Sequence, residues 1–158
     1  MLNQKWKEPL LLGMSLLVLG IDQLSKRLVS RHLSLGEPWN PIACLRDLVS
    51  LTYVTNTGAA FGLLPDHGLF FIAIAVIVVI AILVYHRHLP DKALVKASLG
   101  LQLGGALGNL TDRLRYGYVI DFIDFKVWPV FNLADSAIVI GVAVLAYYLL
   151  RDRGGKQR

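Results

Sequence analysis

The sequence predicts an α-helical integral membrane protein with four transmembrane helices and both termini cytoplasmic. Three observations carry that expectation. Of 158 residues, 55% are hydrophobic and only 17% charged, whereas an average soluble domain is about a quarter charged. The apolar residues are blocked into long runs. One of them, Gly68 to Tyr85, has no charge at all and approaches the roughly 20 residues that a spanning helix needs. The length allows one domain, residues 1–158, embedded in the membrane. The net charge of +5 fits cytoplasmic flanks of membrane spans. No stretch interleaves basic and aromatic residues as a nucleic-acid stripe would.

The first span is expected over about 9–28. Pro9 to Ile21 is almost wholly apolar, and a span here must take in Asp22-Gln-Leu-Ser-Lys26. A charged start and a short apolar core also fit a secretory signal peptide, but no small-residue cleavage site follows. Residues 29–67 form an outer segment. Gly36, Pro38 and Pro41 mark turns, Leu48 to Thr55 reads as a strand, and Asn56-Thr-Gly58 makes a turn before Ala59-Ala-Phe-Gly62. This segment is expected to be a small structured unit lying on the membrane. The second span covers 68–85, and His86-Arg-His88 reads as a solvated loop. The third span covers 93–114. Its Gly100, Gly104, Gly105, Ala106 and Gly108 would let helices approach closely and leave room for a guest helix. An outer loop follows over 115–130. The fourth span covers 131–150, ending in Tyr147-Tyr148 before a basic tail.

Orientation follows from the flanks. With both ends inside, the inner side holds Lys5, Lys7, Arg87, Lys92, Lys96, Arg151, Arg153, Lys156 and Arg158. The outer side holds Lys26, Arg27, Arg31, Arg46, Arg113, Arg115 and Lys126. The bias is modest, but three of the outer bases sit beside helix-embedded acids and are expected to be paired. The positive-inside rule then favours cytoplasmic termini.

Residues i, i+3 and i+4 share a helix face. At that spacing the first span carries Asp22, Ser25 and Lys26, the third Asn109, Asp112 and Arg113, and the fourth Asn132, Asp135 and Ser136. Given the alternating directions of the spans, all three triplets fall at the outer end of the bundle. A charge in hydrocarbon costs about 2.5–3.5 kcal/mol on insertion scales, so these groups should face one another. A polar pocket between the first, third and fourth spans is expected, with Asp121 reaching it from the outer loop. Asp22–Lys26 and Asp112–Arg113 read as ready-made acid–base pairs that serve packing. Asp121 and Asp135 have no basic residue within a helical turn. A carboxylate in apolar surroundings has a raised pKa, and two such groups held together share a proton. That arrangement can hydrolyse an amide: the ionised partner takes a proton from water and the protonated one donates to the oxyanion and leaving nitrogen.

Other chemistries find less support. The single cysteine, Cys44, permits no internal disulfide. The four histidines form no cluster with a carboxylate at zinc spacing, so no metal or other cofactor is expected. There is no phosphate loop, dinucleotide fingerprint or nucleophile elbow. Ser25, Ser136 and Cys44 have no nearby histidine or base.

Five blocks in order carry a resemblance: Asp22-Gln-x-Ser-Lys26, Asn56-Thr-Gly-Ala-Ala-Phe-Gly62, Gly108-Asn-Leu-x-Asp-Arg113, Val119-x-Asp-Phe122 and Phe131-Asn-x-Ala-Asp-Ser-Ala137. They look like the signature blocks of bacterial lipoprotein signal peptidases (signal peptidase II). The resemblance implies an aspartic endopeptidase of the bacterial cytoplasmic (inner) membrane, with its site at the outer leaflet. It would cut prolipoproteins just before a diacylglyceryl-modified cysteine. It implies Asp121 and Asp135 as the catalytic pair. Asn56, Gly58, Asn109, Asp112, Arg113 and Asn132 would line or support the site, and Asp22 and Lys26 would support it from the first helix. It also implies a small extracytoplasmic β-cradle and a short surface helix. The expected partners are prolipoprotein substrates and membrane lipid, not nucleic acid, and the protein is expected to be monomeric.

Three other readings fit the residues less well. A proton-coupled carrier needs ionisable groups along its whole path, and the inner halves of the spans lack carboxylates; carriers also often show internal repeats, and none is found. A packing scaffold would use the polar triplets as helix glue alone. A lipoprotein modified at Cys44 is disfavoured, because Pro41-Ile-Ala-Cys44 is a poor modification site far from the first apolar run.

Overall fold

The computed structural model describes residues 7–58 and 68–155. Four helices and three short strands follow in the order α1 (Lys7–His32), β1 (Pro38–Trp39), β2 (Ser50–Asn56), α2 (Gly68–Tyr85), α3 (Ala93–Tyr116), β3 (Val119–Asp124) and α4 (Leu133–Gly155). Single 3-10 turns lie at Ala43–Leu45 and His86–His88. The expected Ala59–Gly62 segment and the basic residues Lys5, Lys156 and Arg158 lie outside the described residues.

Among the described residues, three helices are long and apolar enough to cross a membrane: Glu8–His32, Gly68–His88 and Leu133–Arg151. Helix α3 is not one of them, although it is 24 residues long, about 36 Å at the helical rise. It carries Lys96, Asp112, Arg113 and Arg115 and is the central element, packed against α1, α4 and α2. A helix sheathed by its neighbours has no need of an apolar surface all round.

The small residues of α3 are what permit that packing. A Cβ at Gly104 would meet Ser15 O of α1 at 2.6 Å and Val18 Cβ at 2.7 Å, and one at Gly105 would collide with the Ala134 carbonyl of α4. The space expected for a guest helix is therefore filled by α1 and α4 themselves. Leu11, Ile82, Val95, Leu99 and Leu103 form the core at one end of the bundle. The same end is closed by Glu8, whose carboxylate meets His86 Nε2 at 3.0 Å and Lys96 Nζ at 3.3 Å. His86 is thus buried and held 3.0 Å from Glu8, not part of a solvated loop: the 3-10 turn folds it back onto α1.

At the other end sits an antiparallel sheet of order β1-β2-β3. The strand expected over Leu48–Thr55 is β2, shifted to Ser50–Asn56. Strand β3 lies inside what the sequence read as an outer loop, because one charged residue at its centre, Asp121, masks an otherwise apolar run. Val29 of α1 packs with Ile120 and Phe122 of β3 to fix the sheet on the bundle. The β2–β3 register pairs Leu51 with Ile123 and then Val54 with Asp121. One extra residue of β2 is therefore bulged out between these pairs. A one-residue slip exchanges strand faces, so the bulge puts Asn56 on the same face as Asp121.

Candidate active site

Asp121 and Asp135 arrive at one cavity from different elements. Asp121 is held at mid-strand in β3 and is almost fully buried. Asp135 lies in the first turn of α4, which begins at Leu133 and not at Phe131 as expected. Phe131 instead bridges to Ile123 of β3, which leaves Asn132 to cap the helix. The Asp135 N–H donates to Asn132 Oδ1 at 2.9 Å, and the Asn132 N–H donates back to Asp135 Oδ2 at 3.3 Å. This reciprocal arrangement satisfies two backbone donors that a helix start otherwise leaves open.

Three side-chain amides hold the two carboxylates. Asn132 Nδ2 donates to Asp121 Oδ1 at 2.7 Å, and Asn56 Nδ2 donates to Asp121 Oδ2 at 2.9 Å. Asn109 Nδ2 donates to Asp135 Oδ1 at 2.7 Å. The two asparagines are joined, since Asn132 Nδ2 also reaches Asn109 Oδ1 at 3.1 Å. One residue, Asn132, therefore touches both aspartates.

Behind this layer lies a buried ion cluster. Lys26 Nζ is 2.9 Å from Asp22 Oδ2, 2.8 Å from Asp112 Oδ2 and 2.9 Å from Asn109 Oδ1. Asp112 thus pairs with Lys26 across helices and not with its neighbour Arg113, as the sequence reading had it. Each acid also accepts from backbone beside one aspartate: Asp22 from Ala134 N at 3.0 Å, and Asp112 from Ile120 N at 3.2 Å. Gln23 completes the cluster by donating to Asp112 Oδ1 at 2.8 Å. Ser25 bonds only its own helix, at Asp22 O, which its helical spacing had not revealed.

Arg113 turns the other way. Its guanidinium lies 5.3 Å from the Phe71 ring centroid and Nη2 donates to Gly58 O at 3.3 Å, while Nε is buried with no hydrogen-bond partner among the described residues. Gly58 N in turn donates to Asn56 Oδ1 at 3.0 Å.

The cavity measures about 620 Å³. Its polar side is formed by Asn56, Asn109, Arg113, Asp121 and Asp135, and its apolar side by Phe71, Trp128 to Phe131, Val139 and Ile140. No residue of α1 lines it, so it opens beside α2, α3 and α4, not between the first, third and fourth helices. Helix α1 contributes from behind, through Lys26. The apolar wall escaped the sequence reading because apolar residues between hydrogen-bonding blocks carry no chemical signature. Burial pushes the Asp121 carboxyl up to about 7, and the Asp135 carboxylate adds to that. Hydrogen bonds from Asn56 and Asn132 and the Lys26 charge oppose the rise.

A family profile described as signal peptidase (SPase) II matches residues 14–151. The chain belongs to the signal peptidase II family. It is accordingly an aspartic peptidase, a hydrolase, and a multi-pass membrane protein. It is 50% identical over 146 residues to the lipoprotein signal peptidase of Moorella thermoacetica, covering 92% of this chain and 95% of that one. It is 48% identical over 134 residues to that of Halothermothrix orenii, covering 85% and 90%. Two solved structures described as a bacterial membrane enzyme determined by the in meso method share the fold at 31% identity. One superposes with a TM-score of 0.83 over 90% of this chain and 88% of its own, the other with 0.78 over 88% and 91%. Of the residues that the five sequence blocks single out, Asn56, Gly58, Asn109, Arg113, Asp121 and Asp135 line the cavity, Asp22, Lys26 and Asp112 form the ion cluster behind it, and Asn132 bonds both aspartates from between them.

Proposed function

We propose that this protein removes signal peptides from prolipoproteins carrying a diacylglyceryl cysteine, cutting just before that cysteine, with Asp121 and Asp135 as the catalytic pair. The observation that carries the reading is the convergence of both carboxylates on one cavity, linked through Asn132. A carboxyl near pH 7 is poised to exchange its proton at neutral pH. Asp135 as carboxylate takes a proton from water, and the water oxygen attacks the scissile carbonyl carbon. Asp121 as the acid protonates the carbonyl oxygen. On collapse of the tetrahedral intermediate Asp135 gives its proton to the leaving nitrogen, Asp121 takes back a proton from a hydroxyl of the intermediate, and the C–N bond breaks. The partly open polar side of the cavity, with Arg113 and the asparagine amides, supplies donors for the developing charge.

In this reading residues 1–158 form a single membrane-embedded domain. Helix α3 is a fourth span of the bacterial inner membrane, both termini are cytoplasmic, and the sheet with the cavity lies at the outer leaflet. The chain works as a monomer among membrane lipid. A substrate anchored by its acyl chains in that leaflet presents its scissile bond at the level of the cavity. The test is incubation of the purified protein with a diacylated prolipoprotein and with an acylated, signal-free control, read by mass. Loss of the signal-peptide mass from the first alone is expected. Asp121→Asn and Asp135→Asn should each remove the activity while the protein still inserts; near-normal turnover by both variants would remove the mechanism.

A further inference from the structure

Beyond β3 the chain makes a tight excursion before α4, and its neck is clasped by groups that the peptidase chemistry does not use. Lys126 is the only non-glycine with positive φ among the described residues, at 62°, a conformation that side-chain-bearing residues adopt uncommonly. Three bonds hold it there. Its N–H donates to Asp124 Oδ1 at 2.9 Å, and its Nζ donates to Asp124 Oδ2 at 2.8 Å and to Ser50 Oγ at 2.6 Å. Thr52 Oγ1 donates to the same Asp124 oxygen at 2.9 Å. The other side of the neck is closed by Phe131, which exchanges backbone bonds with Ile123 at 2.7 and 3.1 Å and stacks its ring on Phe125.

The clasp decides what the excursion presents. Folding the Lys126 side chain back onto the sheet leaves its apolar neighbours outward: Val127 is 93% exposed and Trp128 59%. Trp128, Pro129 and Val130 then form one wall of the cavity that holds Asp121 and Asp135. The facing wall is Val139 and Ile140 of α4, themselves 67% and 54% exposed on a helix apolar enough to cross a membrane. The cavity therefore has an apolar mouth continuous with the lipid-facing side of α4 and a polar floor with the carboxylates.

We infer that the Asp124–Lys126 clasp is a specificity-determining device: it holds Trp128 and Val130 as the wall against which the acyl chains of the lipidated substrate pack. This rests on the proposed prolipoprotein substrate. An acyl chain leaving the bilayer gains no hydrophobic free energy by entering another apolar groove, so the wall acts by orientation. Displacing a substrate by about 1 Å can cost on the order of 100-fold in rate.

The experiment compares substrates with long and short acyl chains on the same prolipoprotein peptide, using the full chain in lipid nanodiscs. The expected result is a wild-type preference for long chains in kcat/KM that falls roughly tenfold or more in Lys126→Ala and in Trp128→Ala, the loss being larger on the long-chain substrate than on the short-chain one. A second readout uses Asp135→Asn, which retains uncleaved substrate, and brominated acyl chains on that substrate. They should quench tryptophan fluorescence, and the quench should fall in Asp135→Asn/Trp128→Phe to what Trp6 and Trp39 contribute. Equal losses on both chain lengths, or quenching indifferent to Trp128, would overturn the inference. Failure of the wild type to cut either substrate would instead overturn the peptidase reading, which the quenching does not depend on.

Discussion

Lys26 of α1 and Asp112 of α3 form a fully buried ion pair at 2.8 Å, behind and not within the cavity. Lys26 also binds Asp22, and the two acids reach in opposite directions, Asp112 to the backbone beside Asp121 and Asp22 to the backbone beside Asp135. A single ammonium thus stands between the anchors of the two catalytic candidates. Removing one partner of a buried ion pair typically costs 3–5 kcal/mol, because the other charge is left uncompensated. Lys26→Met should lower thermal stability by about that amount. Adding Asp112→Asn to it should recover part of the loss, since one of the stranded charges goes. A double-mutant cycle on purified protein measures this; strictly additive losses would show that the pair is not coupled.

Asn132 has two separable duties, capping α4 and donating to Asp121. Asn132→Ala removes both and should cost about 1–2 kcal/mol in helix capping together with at least 100-fold in activity. Asn132→Ser keeps a side-chain oxygen for the Asp135 N–H but loses the amide donor. It should regain most of the stability and little of the activity. Thermal unfolding beside kcat/KM for the two variants checks this, and matched recovery of both properties would tie Asn132 to folding alone.

The glycines make a contrast that packing alone decides. A Cβ at Gly105 would run into the Ala134 carbonyl and lie 2.8 Å from Ile138 Cγ1, whereas one at Gly13 would meet nothing within 4 Å. Overpacking typically costs 1–3 kcal/mol, and Gly105→Ala also presses on the turn that carries Asp135. Gly13→Ala should instead add up to about 1 kcal/mol through helix propensity. Opposite shifts in melting temperature are expected.

These residues also mark how far the sequence could be read. The helices were legible as apolar runs, and the site as charged residues that hydrocarbon would reject unless they met. What linked them was less visible. Spacing along one helix pointed to Asp112–Arg113, but an ion pair goes to the partner that burial brings closest, and that was Lys26 on another helix. Strand β3 was hidden because the strand it pairs with is far off in the chain, Asn56 lying opposite Val119 and Val54 opposite Asp121, and alternation is lost where both faces are covered. The bulge that sets Asn56 beside Asp121 depends on pairing register, which no local pattern encodes. The clasp at Lys126 reads in sequence as an ordinary surface lysine.

The pH dependence follows from Asp121 alone with a definite sign. Its folded value is raised to about 7 from an unfolded value of about 3.9, so the folded state binds the proton more tightly. The associated stability is fully present below about pH 3.9 and is lost as pH rises through about 7, on the order of 4 kcal/mol across the interval. Activity should fall along the same upper limb, because the acid that protonates the carbonyl is titrated away. The groups that set this limb are Asp135 of α4, which raises the value, and Lys26 of α1, which lowers it. Asp135→Asn removes the neighbouring charge and should move the Asp121 titration downward; Lys26→Met removes an opposing charge and should move it upward. Infrared difference spectroscopy of the carboxyl band in each variant, with Asp121→Asn as the blank, follows the titration without needing turnover. A carboxyl band that is lost in Asp121→Asn but titrates near pH 4 in the wild-type protein would show that burial does not hold this proton, and the assignment of Asp121 as the acid would fall with it.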